Sequence, residues 1–62
     1  MAKDLRSDAH AIYHMYLEGK EHGYTVHSSI CRAMLQWSVR YTDDEYKDID
    51  RFVKHFIKYG AI

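Results

Sequence analysis

The segment from Val26 to Tyr41 carries apolar residues on two opposite sides, and this constrains the chain more than any other feature. At about 100° per residue, Val26, Ile30, Ala33 and Trp37 form one stripe, with Met34 at its edge. Cys31, Leu35 and Val39, spaced four apart, form a second stripe roughly 160° away. Arg32, Gln36 and Arg40 fill the polar wedge between them. A helix with one apolar stripe needs one neighbour, whereas a helix with two opposed stripes must be covered from both sides. The pattern therefore predicts a middle helix over 25–40 that is either sandwiched between its neighbours or paired with a second chain.

The flanking segments supply the neighbours. A first helix is expected over 4–18, capped by Asp4 or Ser7, with Leu5, Ala9, Ile12 and Tyr16 on one face and Tyr13 beside them. Gly19 fits the left-handed position after its end. Lys20 to Tyr24 then make a short polar loop, and Thr25 can cap the middle helix. Downstream, Thr42 and Glu45 have capping-box spacing, and Tyr41 and Tyr46 occupy the two hydrophobic-staple positions around that cap. Asp43, Asp44 and Glu45 complement the positive end of a helix dipole. A third helix is thus expected over 42–59 after a very tight corner, ended by Gly60. Its buried face is Tyr46, Ile49, Phe52, Val53, Phe56 and Ile57. The reading is a single all-α domain of three helices over 1–62, dimerising through the middle helix.

Size supports association. The chain has 62 residues, near the lower limit for independent folding, where small domains often rely on oligomerisation. Nine basic and nine acidic residues, with five His, give a formal charge of zero, which argues against a general polyanion binder. The sequence has no apolar run of bilayer length and no signal-peptide pattern, so no membrane association is expected. Cys31 is the single cysteine, so no internal disulfide can form and a reducing cytoplasm is the natural compartment. On an apolar stripe it reads as a small core residue, with no neighbour expected to activate its thiol.

Several residue groups are of types that can carry chemistry. His10, His14 and Glu18, spaced four apart, could share a metal, but position 11 is Ala where a zinc protease needs its general-base Glu, and one exposed helix makes an open site. They read as a solvated face. His22, His27 and His55 show no metal spacing among themselves, and no cofactor is expected. Ser28, Ser29 and Cys31 lie near His27, but side chains one or two apart on a helix do not face each other. The chain is read as a non-enzyme.

Two binding readings remain. In the favoured one, the chain is a small accessory factor or inhibitor that binds another protein. Its identity is not legible, and a homodimer is expected. The surface would use Cys31, Leu35 and Val39 with Tyr13, Tyr24, Tyr41 and Tyr59, because tyrosine combines an apolar body with a polar tip. A free-standing chain with an initiator Met and no tail fits this class, which phages and other mobile elements often encode. The alternative is DNA binding. Lys47, Arg51, Lys54 and Lys58 form a basic stripe within an arc of about 60° on the third helix. Asp43–Lys47 and Asp50–Lys54 are also favourable i,i+4 pairs, which favours a solvated face. Gly23-Tyr24-Thr25 ahead of Arg32 resembles the turn and start of a helix-turn-helix recognition helix, with Thr25, His27, Ser28 and Arg32 available for DNA. Its apolar register is off by one, since Val26 occupies an outward position and Ser29 stands where an apolar residue belongs.

Overall fold

Three short polar side chains start the three helices. In the computed structural model, which describes residues 4–60, Asp4 accepts a hydrogen bond from the Ser7 amide at 3.1 Å and opens α1, Leu5–Gly19. Thr25 opens α2, Val26–Trp37, through a capping box in which its hydroxyl accepts from the Ser28 amide at 3.1 Å and the Ser28 hydroxyl accepts from the Thr25 amide at 2.8 Å. Thr42 and Glu45 form the expected box at the start of α3, Asp43–Tyr59. The domain is all-α, with no strand among the described residues.

The connections differ from expectation in two places. Gly19 is the last residue of α1 and right-handed (φ −94°), so it does not supply the left-handed turn. Its role is close approach: a Cβ there would lie 2.4 Å from Cδ2 of the Tyr24 ring. Lys20–His22 add one 3-10 turn, and Gly23 at φ +86° makes the reversal instead. The second difference is larger. α2 ends at Trp37 rather than at residue 40, because Ser38 is left-handed (φ 54°). The Ser38 amide donates to the Leu35 carbonyl, and the Val39 amide donates to the Met34 carbonyl at 3.1 Å. These two bonds close the helix as a Schellman motif. The corner into α3 is therefore five residues, 38–42, and Val39 lies beyond the helix it was expected to line.

The helices meet in one core. Ala9 and Ile12 of α1, Ile30 and Ala33 of α2, and Ile49, Val53 and Phe56 of α3 are buried together. Each helix touches both others, most extensively α1 with α3. Ser29 is fully buried, and its hydroxyl donates to the Thr25 carbonyl at 2.9 Å, so the polar residue in the apolar register is satisfied locally. One tertiary contact has no local signal in the sequence. The Tyr41 hydroxyl donates to Asp8 Oδ2 at 2.6 Å, tying the corner to α1 across 33 residues of sequence. Burial and the adjacent Asp8 carboxylate push the Tyr41 phenol well above its ordinary pKa. Ile57, expected in the buried face of α3, is 42% exposed, since it sits at the edge of the apolar arc, roughly 80° from Ile49.

Candidate functional site

The two stripes of α2 have opposite fates. Ile30 and Ala33 are fully buried, with Val26, Met34 and Trp37 packed around them. On the other side no helix among the described residues covers Leu35, which is 83% exposed. Cys31 and Val39 beside it are half-buried. Leu35 stands as a ridge between two shallow clefts. One is lined by Cys31, Met34, Ser38, Val39 and Arg40, and the other by Tyr24, His27, Ser28, Cys31 and Arg32. Although the helix ends early, its Schellman turn returns Val39 to the patch next to Met34, so the predicted trio Cys31, Leu35 and Val39 still lies on one surface.

Of the four tyrosines assigned to this surface, only Tyr24 lines one of these clefts. It packs on Gly19, and its hydroxyl accepts a hydrogen bond from the Arg32 guanidinium. Tyr13 packs on Phe56 with ring centres 5.8 Å apart, at the core edge. Tyr41 is committed to Asp8, and Tyr59 lies beside His55 at the end of α3 with Lys58 over its ring. The expected aromatic rim is thus dispersed, because these residues serve different helix junctions.

Sequence reasoning missed the polar edge of the patch. His27 and Cys31 are four apart on one helix, and such positions share a face. The His27 Nε2 lies 3.5 Å from the Cys31 sulfur, so the thiol has a close imidazole neighbour after all. Across the α2–α3 junction, the other ring nitrogen, Nδ1, is 2.5 Å from the Tyr46 hydroxyl. Burial raises the pKa of the Tyr46 phenol, with the Asp50 carboxylate as the next cause, so it stays neutral as a hydrogen-bond partner.

The alternative DNA surface is differently disposed. On α3, Arg51 is paired with Asp48, and Lys54 with Asp50 at 2.9 Å. Lys47, Arg51, Lys54 and Lys58 are all exposed, as is Arg32 on α2. In the turn region Thr25 and Ser28 spend their side chains on the capping box. His10 and His14 are exposed, with rings 4.8 Å apart. No helix among the described residues is long and apolar enough to cross a membrane. Comparison with protein-family models, curated proteins and solved structures gives no match.

Proposed function

We propose that this chain is a small non-enzymatic protein-binding factor that works as a homodimer through the outward side of α2. The observation that carries this reading is Leu35, a large aliphatic side chain 83% exposed at the centre of an apolar patch. A lone exposed Leu is ordinary, but one flanked by Cys31, Met34 and Val39 is part of a contiguous surface. The relief favours a second copy as the occupant. A ridge beside a cleft is self-complementary under a two-fold axis, which sets each Leu35 against a cleft of the other chain. Arg32 and Arg40 at the rim belong to a residue type enriched at interfaces.

Chemical cross-linking at micromolar concentration tests this reading. A cross-linked dimer that is lost when Leu35→Glu is introduced supports it. Tight binding of duplex DNA that weakens steeply with salt would replace it with the nucleic-acid reading.

A further inference from the structure

His27 and Cys31 have donor atoms suited to one metal ion. In a tetrahedral zinc site, with Zn–N near 2.0–2.1 Å and Zn–S near 2.3 Å, the nitrogen and sulfur ligands lie about 3.6 Å apart. Here Nε2 and Sγ are 3.5 Å apart, on one helix face and at the edge of an open cleft. The second ring nitrogen is also placed for ligation. A ligating imidazole keeps a proton on its free nitrogen and usually donates it to an oxygen that orients the ring. Tyr46 Oη, 2.5 Å from Nδ1, can accept that proton's hydrogen bond. Two ligands do not make a closed site, and among the described residues no group of three or more His, Cys, Asp or Glu is placed to hold a metal. The missing half must come from elsewhere.

We propose that His27 and Cys31 are half of a tetrahedral zinc site, completed by the same two residues of a second copy of this chain. This rests on the dimer reading and deepens it. A two-fold axis passing beside His27 and Cys31 brings two imidazoles and two thiols together. It leaves Leu35, one turn along α2, to enter the other chain's cleft beside Tyr24 and Ser28. Two thiolates and two neutral imidazoles offset the charge of one Zn²⁺, so the closed site is electrically neutral. The thiol protons leave to solvent as the metal binds, which makes binding weaker in acid.

The test uses the full chain, stripped with a chelator and titrated with Zn²⁺ and with Co²⁺, with sedimentation run in both states. The expected result is one metal per two chains, and for cobalt the intense visible bands of a tetrahedral, thiolate-ligated ion. Cys31→Ser and His27→Gln, each checked for folding by circular dichroism, should weaken binding at least a hundredfold. Tyr46→Phe should weaken it about tenfold, as loss of an outer hydrogen bond does. A protein that dimerises in chelator and takes up no zinc overturns the metal site and leaves the dimer standing. A protein monomeric in both states overturns both. Weak binding that His27→Gln does not change also overturns the metal site.

Discussion

The inward and outward sides of α2 contain similar residues and end in different surroundings. Ile30 and Leu35 are both large aliphatics on the same twelve-residue helix, yet one is fully buried and the other 83% exposed. The difference lies in the neighbours. α1 and α3 each bring one apolar face, and both faces are used on the Ile30 side. Hydrophobic residues alone therefore do not place a side chain in the core. The helices available to cover it do, and on the outward side the described residues supply none.

The comparison can be broken by truncating each side in turn. Ile30→Ala leaves a cavity among the six other residues of the buried cluster and should cost about 2–5 kcal/mol in chemical denaturation. Leu35→Ala at a dilution that favours monomer should cost no more than about 0.5 kcal/mol. Equal costs for the two would mean that Leu35 is part of the monomer's core and would remove the basis of the contrast.

The inward side is also tied at its end by the Tyr41–Asp8 bond. Tyr41→Phe should destabilise by about 1.5–2 kcal/mol, because the acceptor is a carboxylate. The pH dependence has a definite sign. The folded phenol titrates above the unfolded one, so its contribution is complete below about pH 10, the unfolded value. It is lost as pH rises from there through the folded value. Alkaline titration of stability should show this loss in wild type and a smaller one in Tyr41→Phe. A Tyr41→Phe variant as stable as wild type at neutral pH contradicts the assignment.

Helix ends give smaller effects. Thr42→Ala removes the side-chain acceptor for the Glu45 amide and should cost about 1 kcal/mol, with a similar midpoint shift whether or not Leu35 is intact. Ser38→Gly sharpens the comparison from the outward side. A non-glycine residue at φ 54° carries a left-handed penalty, so glycine there should stabilise by up to about 1 kcal/mol while keeping Val39 off the helix. Destabilisation by this variant would show that the Ser38 conformation is not what ends α2.

These elements also mark how far the sequence could be read. Asp4, Thr25, Thr42 and Glu45 act through partners three residues away, so the helix starts were visible as spacing. The end of α2 was not, because Ser38 is not a residue type that announces a left-handed turn, and neither Gly nor Pro stands there. Gly19 looked like a turn residue because its reason for being glycine, the Tyr24 ring, depends on where the returning chain lies. Tyr41–Asp8 and Tyr46–His27 join residues far apart in sequence and exist only once helices pack. The His27–Cys31 pair is different: its i,i+4 spacing is plain in the sequence. The one-or-two-apart argument that sets aside Ser28 and Ser29 does not hold for Cys31, which lies four residues from His27 and shares its face.

The central claim is that the outward side of α2 is covered by a second copy of the chain. Sedimentation equilibrium of wild type and Leu35→Glu over micromolar concentrations, each with zinc and with chelator, tests it most directly. The account predicts a wild-type dimer and a folded Leu35→Glu monomer, since a charge buried without a partner in that interface would be costly. A wild type that stays monomeric at every concentration, with zinc and without, would contradict it.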